Sequence, residues 1–224
     1  MPDRIRTREL AAEFIGKGDP LGWFEALYRE AESGDGIVPW ADQAPNPRLI
    51  EFWTAHTLDT VDKRALVIGS GFGDDAEQLA AWGFHTTGFD ISKTAVAATK
   101  KRFPETRVEY VVADLFDPPP SWTHAFDFVL EIYTVQALPA ELRNEAVEKI
   151  AQFVAPGGRL LAIARGRAEG EPEGQGPPWP LTRAELDRFQ RAGLTEESFE
   201  DYAESEPPWV RRFRALYRRV KSGS

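Results

Sequence analysis

Short apolar runs alternate with segments of helical spacing between residues 65 and 165. The runs are four to six residues long, a length typical of strands that are buried on both faces. The predicted strands are 65–68, 85–89, 107–112, 126–131 and 159–164, and two more, 194–202 and 210–220, follow near the C-terminal end. This regular exchange of strand and helix predicts an α/β protein with a mostly parallel sheet and helices on both of its faces.

The N-terminal quarter of the chain lacks these runs and is predicted to form a helical cap. Two helices are predicted over residues 5–34, and Trp23 lies on the apolar stripe of the second one. Such a stripe is more typical of core packing than of a ligand contact. The predicted bounds within one domain are 1–62 for the cap, 63–221 for the sheet domain and 222–224 for a frayed tail.

A glycine-rich turn follows the first strand of the sheet. Gly69, Gly71 and Gly73 are spaced by single residues, and their lack of a Cβ lets the backbone approach a ligand closely. Asp90 ends the second strand, about twenty residues after Gly71, where a carboxylate can accept hydrogen bonds from both hydroxyls of a ribose. Strand, turn, helix, strand and acid together are typical of half of a nucleotide site.

The residues after the turn indicate which nucleotide is bound. Asp74 stands where the dinucleotide fingerprint has its third glycine, and no Walker lysine is present. A pyrophosphate would also meet the negative charges of Asp74 and Asp75 at a helix N-terminus. A ligand with ribose and adenine but no phosphate fits better, and S-adenosylmethionine (SAM) is such a ligand. A glycine turn in another Rossmann-like protein, for example one that binds NAD(H), is the alternative.

The G-x-G-x-G turn with Asp90 resembles motifs I and II of class I SAM-dependent methyltransferases. The whole chain resembles the thiopurine methyltransferase and thiol/halide methyltransferase family. This wider resemblance is carried by Trp23-Phe24, Pro39-Trp40, GSGFGDDAEQLAAWGFHTTGFDIS (69–92) and GPPWPLTRAEL (176–186). It implies a Rossmann-like seven-stranded sheet with a reversed final hairpin, SAM as methyl donor, S-adenosylhomocysteine (SAH) as product and a soft nucleophile as acceptor.

Position and resemblance together predict the cofactor contacts. The predicted cofactor-binding residues are Trp40, Gly69, Gly71, Gly73, Asp90, Ile91, Asp114, Leu115 and Glu131. Asp114 would accept from the adenine amine beside Leu115, although a solvated turn acid is the alternative for Asp114. Glu131 would meet the methionine amino group or a water. Trp40 would cover the cofactor, or else only clamp the cap to the core.

The acceptor site is predicted from fewer residues. The predicted substrate-binding residues are Trp23, Tyr133, Arg165 and Trp179. Thiopurine enzymes have Asp-Arg-Gly after the fourth strand, where this chain has Glu131-Ile132-Tyr133. The missing arginine puts a thiopurine-type acceptor in doubt, and Arg165 could replace it. The glycine- and proline-rich insertion 166–180 is interpreted as a lid at the mouth of the site, with a disordered insertion as the alternative.

The last predicted strand, 210–220, carries five arginines among apolar residues. An exposed sheet edge protected by charge is the favoured interpretation, and an RNA-binding strand is the alternative.

Composition limits the partners. The net charge of −9 argues against a nucleic-acid partner, and the absence of cysteine excludes disulfides and thiolate sites. The three histidines share no metal-ligand spacing, so no metal is predicted. The chain has no apolar run of membrane-spanning length and no leader pattern at its first residues, which favours a cytoplasmic protein without a membrane partner. A monomer or a homodimer is expected.

These observations predict an enzyme that moves a methyl group from SAM to a small-molecule acceptor, a thiol or another soft nucleophile, by in-line displacement. Positioning of the reactants would supply most of the rate, and no catalytic residue is assigned. An O- or C-methyltransferase of secondary metabolism and a non-catalytic SAM- or SAH-binding module are the alternatives.

Overall fold

A computed structural model of the chain describes residues 2–203 and 209–221. The helices are α1 (Pro2–Gly16), α2 (Gly22–Ser33), α3 (Pro47–Ala55), α4 (Asp74–Ala81), α5 (Lys93–Arg102), α6 (Ala140–Phe153), α7 (Arg183–Leu186) and α8 (Arg188–Arg191). The strands are β1 (Arg64–Ile68), β2 (His85–Asp90), β3 (Glu109–Val112), β4 (Phe126–Ile132), β5 (Val154–Arg165), β6 (Thr195–Ala203) and β7 (Arg211–Arg218). Short 3-10 helices cover Pro120–Trp122 and Val135–Ala137.

The seven strands belong to one sheet in the order β3-β2-β1-β4-β5-β7-β6. β1, β2 and β3 are parallel, β4 and β5 are parallel, and β7 runs antiparallel to both β5 and β6. This arrangement confirms the predicted Rossmann-like α/β fold, its mostly parallel sheet and its helical N-terminal segment.

The chain divides into two compact units, Met1–Asp114 and Leu115–Ser224. The division falls within the segment 63–221 that was predicted as the sheet domain, and the predicted domain bounds stay a prediction. The predicted tail 222–224 lies outside the described residues.

The first unit is ordered by local sequence signals. β1 is buried over Ala65–Ile68, as its apolar run predicts. Asn46 caps α3, and its side chain accepts from the backbone N–H of Arg48 at 2.9 Å. Ser92 caps α5, with Oγ accepting from the backbone N–H of Ala95 at 3.0 Å. Because β1 and β2 are parallel, the glycine turn and Asp90 follow strand ends at the same edge of the sheet.

The second unit corrects the prediction for the last strand. β7 was expected to be an exposed edge, but it lies between β5 and β6, and its residues 212–217 are buried. Phe213, Ala215 and Tyr217 supply the apolar contacts of an interior strand, and Tyr217 donates from its hydroxyl to the carbonyl of Leu186 at 3.0 Å. The arginine-rich pattern was misleading because carboxylates of β6 neutralise part of the positive charge of β7.

Two carboxylates of β6 pair with arginines of β7. Arg211 donates to Asp201 at 2.7 and 2.8 Å, and Arg214 donates to Glu200 at 2.6 and 2.9 Å. Each pair is bidentate, the geometry that suits a guanidinium and a carboxylate best. The charges thus serve pairing between β6 and β7, and β6 is the strand at the end of the sheet.

Residues 155–158, a proline- and glycine-containing sequence that predicts a tight turn, lie inside β5 as a bulge. The register with β4 passes from Phe126 opposite Val154 to Phe128 opposite Arg159, so β5 accommodates extra residues there. Gly157 has a φ of 85°, which only glycine adopts at little cost.

In the described ranges 2–203 and 209–221, no helix is long and apolar enough to cross a membrane. In the same ranges, no three His, Asp or Glu side chains gather in a cluster that could hold a metal ion.

Candidate functional site

The glycine turn is built for close approach of the backbone. Gly69, Gly71 and Gly73 have φ values of 58°, 53° and 88°, in the left-handed region that favours glycine. A Cβ on Gly71 would lie 2.9 Å from the hydroxyl of Tyr28, and one on Gly73 would lie 2.5 Å from the hydroxyl of Tyr110. The turn therefore requires glycine at these positions, and Gly69 is exposed directly after β1.

Asp90 connects the end of β2 to this turn. Its Oδ2 accepts from the backbone N–H of Gly71 at 2.9 Å, and its Oδ1 accepts from the backbone N–H of Ser92 at 2.9 Å. The side chain is 5% exposed, and this burial raises the pKa of Asp90 to about 6 in spite of the hydrogen bonds that lower it. Each carboxylate oxygen keeps a further lone pair, so the group can still accept from a ribose diol.

Trp40 is tied to the same region through Tyr28. The indole Nε1–H of Trp40 donates to the Tyr28 hydroxyl at 3.1 Å, and the Tyr28 ring meets the ring of Phe72 edge-on at 5.2 Å. Trp40 is 39% exposed, whereas Tyr28 is buried, and burial raises the pKa of the Tyr28 hydroxyl. The loop carrying Trp40 thus lies one side chain away from the glycine turn, an arrangement compatible with both the cofactor cover and the clamp.

Trp23 lies in the same aromatic group. Its ring stacks on Phe24 with centroids 3.8 Å apart, and it meets Trp40 edge-on at 6.2 Å. The side chain is fully buried, and its Nε1–H has no hydrogen-bond partner among the described residues. Its burial agrees with core packing. The contact of Trp23 with a ligand stays a prediction, and the unpaired Nε1–H is the donor that such a contact would use.

The N-terminus of α4 already holds two carboxylates. Asp74 accepts two hydrogen bonds from Arg102, at 2.7 and 2.8 Å. Asp75 accepts from the backbone N–H of Asn46 at 2.7 Å, and burial raises the pKa of Asp75 to about 6. This occupied helix end suits a nucleoside without phosphates, so the donors and acceptors present fit SAM.

Three predicted cofactor residues at strand ends have fewer described contacts. Ile91 and Asp114 are half-buried after β2 and β3, and Leu115, in the second unit, is buried. Ala113, the residue before Asp114, donates from its backbone N–H to the carbonyl of Asp90 at 3.1 Å. The solvated-turn alternative for Asp114 and its adenine role both stay predictions.

Among the described acids of the second unit, Glu131 is the most deeply buried. Its Oε1 accepts from the backbone N–H groups of Thr134 and Val135, at 2.8 and 3.0 Å. Its Oε2 is buried and has no hydrogen-bond partner among the described residues. Burial raises the pKa of Glu131 to about 7. A buried oxygen without a partner is costly unless a ligand or a proton satisfies it.

Tyr133 follows β4 in a strained backbone conformation. Its φ is 65°, and its backbone N–H donates to the carbonyl of Ile163 at 3.0 Å. The guanidinium of Arg212 lies 5.3 Å from the centre of the Tyr133 ring. The end of β4 is therefore held in one conformation, with the Tyr133 ring against a cation.

Gln136 joins two of the predicted substrate residues. Its Oε1 accepts from the backbone N–H of Arg165 at 2.6 Å, and its carbonyl accepts from the backbone N–H of Trp179 at 2.7 Å. Sequence reasoning missed Gln136, because nothing in the local pattern marks a glutamine as a tie between distant segments.

The insertion 166–180 is anchored on α6. Arg143, fully buried, donates to Glu173 at 3.0 and 3.1 Å and to Glu185 at 2.7 Å. Arg167, inside the insertion, donates to the same two carboxylates at 3.2 and 3.3 Å. The segment is thus hydrogen-bonded to α6, and its interpretation as a lid, with a disordered insertion as the alternative, stays a prediction.

Comparison with known proteins agrees with this geometry. Residues 65–158 match a family model described as a methyltransferase domain. The chain is 26% identical over 189 residues to the "Probable thiol methyltransferase 2" of Arabidopsis thaliana, a match covering 81% of this chain and 76% of that protein. It is 25% identical over 181 residues to the thiopurine S-methyltransferase of Vibrio atlanticus, covering 74% and 81%.

The chain is a SAM-dependent methyltransferase.

Solved structures support the fold of this methyltransferase. A structure that concerns the conversion of a disulfide bond into a thioacetal group during echinomycin biosynthesis matches with a TM-score of 0.71 and 20% identity. The match covers 89% of this chain and 94% of that chain. At this identity the likeness is evidence for the fold alone.

Each unit contains long-range hydrogen bonds that sequence reasoning did not find. In the second unit they involve Gln136, and in the first unit Glu25, Arg102 and Asn46, each of which contacts a residue far away in the chain. Their side chains are of ordinary types without a local motif, so only the contacts reveal them. The predicted residues Trp40, Gly71, Gly73 and Asp90 do come together within the first unit.

Proposed function

We propose that this methyltransferase acts on a small thiol or another soft nucleophile. The main support is that two relatives, each aligned over about three quarters of this chain or more, are named for thiol and thiopurine acceptors. When bound, SAM supplies a methyl carbon that bonds to the acceptor sulfur as its bond to the sulfonium breaks, leaving SAH. A cytoplasmic location and a monomeric or homodimeric state remain part of this proposal.

The chain's own residues position the reactants and exclude water. The proposed cofactor-binding residues are Trp40, Gly69, Gly71, Gly73, Asp90, Ile91, Asp114, Leu115 and Glu131. Asp90 would accept from the ribose hydroxyls, because both of its oxygens are already oriented by backbone N–H groups. Glu131 would accept from the methionine ammonium through its buried Oε2. Such pre-oriented groups contribute by lowering the entropy lost on reaching the reactive geometry.

Acceptor contacts are proposed for Trp23, Tyr133, Arg165 and Trp179. A thiol loses its proton readily near neutral pH, so its methylation needs no dedicated base. The histidines do not suggest one: His56 makes a contact from Nδ1 to the carbonyl of Phe52 at 2.8 Å, and His85 is exposed at the start of β2.

An oxygen acceptor is the second candidate, and two observations favour it. The pKa of Glu131 is raised to about 7, close to the value at which a general base works best at neutral pH. A 118-residue match, 30% identical, to the ubiquinone biosynthesis O-methyltransferase of Aromatoleum aromaticum points the same way.

A panel of acceptors tests the proposal. SAH formation and product mass would be measured with sulfide, alkyl and aryl thiols, a thiopurine and halides, and with phenols and quinols as the oxygen arm. We expect turnover with thiols and, at saturating SAM, little change in kcat for thiols in Glu131→Gln. Methylation confined to oxygen acceptors and lost in Glu131→Gln would replace the proposal with the second candidate. Tight SAH binding without turnover of any acceptor would favour a non-catalytic module.

A further inference from the structure

Glu25 joins the N-terminal cap to the beginning of α5. Its Oε2 accepts from the hydroxyl of Ser92 at 2.7 Å and from the backbone N–H of Thr94 at 3.2 Å. Its Oε1 accepts from the hydroxyl of Thr94 at 2.8 Å. Burial alone would raise the pKa of Glu25, but these hydrogen bonds hold it below its ordinary value. Glu25 is therefore a charged acceptor at the positive end of a ten-residue helix.

Ser92 relays this contact to Asp90. Its hydroxyl donates to Glu25 and accepts from the backbone N–H of Ala95, so the side chain has one orientation. Its backbone N–H donates to Oδ1 of Asp90 at 2.9 Å. One residue thus takes its conformation from the cap and orients one of the two oxygens proposed to hold the ribose.

Tyr28 makes the second contact from the same face of α2. It follows Glu25 by three residues, and residues at this spacing share a helix face. Its hydroxyl lies 2.9 Å from the position of a Cβ on Gly71, and it accepts from Trp40. α2 therefore touches both parts of the nucleotide site, the turn through Tyr28 and the acid through Glu25 by way of Ser92.

We propose that Glu25 is a positioning residue for the cofactor, holding Ser92 and through it Asp90, so that the seating of α2 and cofactor binding favour each other. The proposal rests on the ribose-binding role proposed for Asp90. Coupling between two binding events is reciprocal. If the seated α2 improves cofactor affinity, the bound cofactor must stabilise α2 on α5 by the same factor.

A carboxylate in this position also has an electrostatic cost. The negative charge of Glu25 helps to raise the pKa of Asp90, together with burial. Removal of that charge alone would therefore favour ionised Asp90 and improve its acceptor strength. A loss of affinity on removing the carboxylate would thus reflect lost positioning and not lost charge, which makes Glu25→Gln informative.

The test uses the full chain and SAH as the probe. Calorimetry would give the SAH dissociation constant for the wild type, for Glu25→Gln and for Thr94→Val, which removes one donor to Glu25 without altering charge. Glu32→Gln is the matched control, because Glu32 is exposed on the same helix and undergoes the same charge change. We expect the SAH dissociation constant to rise about tenfold for Glu25→Gln, because a charged hydrogen bond is lost. It should rise less for Thr94→Val and by less than about twofold for the control.

Hydrogen exchange gives a second measurement, one that a purely structural role of Glu25 would leave unchanged. In the wild type, SAH should slow amide exchange over Gly22–Ser33. In Glu25→Gln this protection of α2 should be lost, while protection of the Gly71 amide at saturating SAH remains. A melting curve for each variant checks folding, and Thr94→Val keeps the test decisive if Glu25→Gln is unstable.

The outcomes separate this inference from the proposed function. Wild-type affinity in both variants, or SAH that leaves exchange in α2 unchanged, would overturn the role of Glu25. SAH binding with the expected losses but no methylated thiol would overturn the thiol acceptor and leave the role of Glu25 standing. A wild-type chain that binds no SAH would overturn both.

Discussion

The carboxylate of Asp90 accepts a hydrogen bond from the backbone N–H of Gly71 at 2.9 Å, so the acid at the end of β2 holds the turn after β1. The contact joins positions 19 residues apart in the chain. A change at either residue is therefore expected to alter both the shape of the turn and its ligand contacts.

Gly71→Ala should weaken cofactor binding more than strain alone explains. The left-handed φ of 53° would cost an L-residue about 1–2 kcal/mol, and its Cβ would also press on the Tyr28 hydroxyl. We expect the SAH dissociation constant to rise by about tenfold or more, measured by calorimetry.

Gly18→Ala is the matched control for this change. Gly18 has a φ of 78° but no heavy atom near its Cβ position, so it shares the strain and lacks the contact. Both variants should lose stability in thermal melts, and only Gly71→Ala should lose affinity. Equal SAH affinities in the two variants would contradict the close approach at the turn.

Cofactor affinity should decrease in two stages as the pH is lowered. Protonation of Glu131 near pH 7 removes the proposed partner of the ammonium, and protonation of Asp90 near pH 6 weakens the acceptor of the ribose hydroxyls. Below each pKa, affinity should drop by up to about tenfold per pH unit. Calorimetric titrations with SAH between pH 8 and pH 5, on the order of half-unit steps, would resolve the stages.

Adenosine separates the two acids, because it has the ribose but no amino acid group. Its affinity should show only the stage near pH 6, and Asp90→Asn should remove that stage. Glu131→Gln should abolish the stage near pH 7 for SAH. If adenosine and SAH followed the same curve, the contact between Glu131 and the ammonium would be wrong.

The burial of Glu131 also predicts how stability depends on pH. An unfolded glutamate ionises near its ordinary pKa of 4.5, whereas the folded one ionises at about 7. Between these values the folded protein binds more protons, so this residue's contribution to stability falls as pH rises through that window. The full effect is at most about 3 kcal/mol.

Urea unfolding of the wild type and of Glu131→Gln would measure this effect. The glutamine keeps an oxygen for Thr134 and Val135 but does not ionise. We expect it to gain stability relative to the wild type as pH rises from 5 to about 7.5. A difference that stays constant over this range would mean that Glu131 ionises normally in the folded protein.

The insertion 166–180 should be released by loss of a single carboxylate. Glu173 lies in the insertion and accepts from the buried Arg143. Glu173→Gln weakens this anchor, while Glu185 still accepts from Arg143. We expect limited proteolysis within 166–180 to accelerate severalfold with little change in melting temperature, whereas Arg143→Ala should destabilise the whole protein by about 3–5 kcal/mol.

Glu145→Gln, exposed on the same helix as Arg143, is the control and should cleave like the wild type. Unchanged cleavage of Glu173→Gln would show that the loop is held by other contacts.

Local chemistry makes much of this structure predictable from the sequence. The strands β1 to β5 follow from their apolar runs, and Ser92 and Thr182 cap helices because their side chains bond to nearby backbone. The error at β7 has an equally physical cause. Its arginines look like edge protection until the carboxylates of β6 are known to lie opposite, and that pairing depends on strand order.

The sequence by itself determined the glycine turn, the acid at the end of β2 and the alternation of strand and helix, because backbone strain and hydrophobic periodicity act over a few residues. Only the tertiary structure decided that Glu25 reaches Ser92, 67 positions away, and that Arg143 holds the insertion. Such contacts depend on which helix faces come together, and that choice is made by the packing of the whole core and not by any local signal.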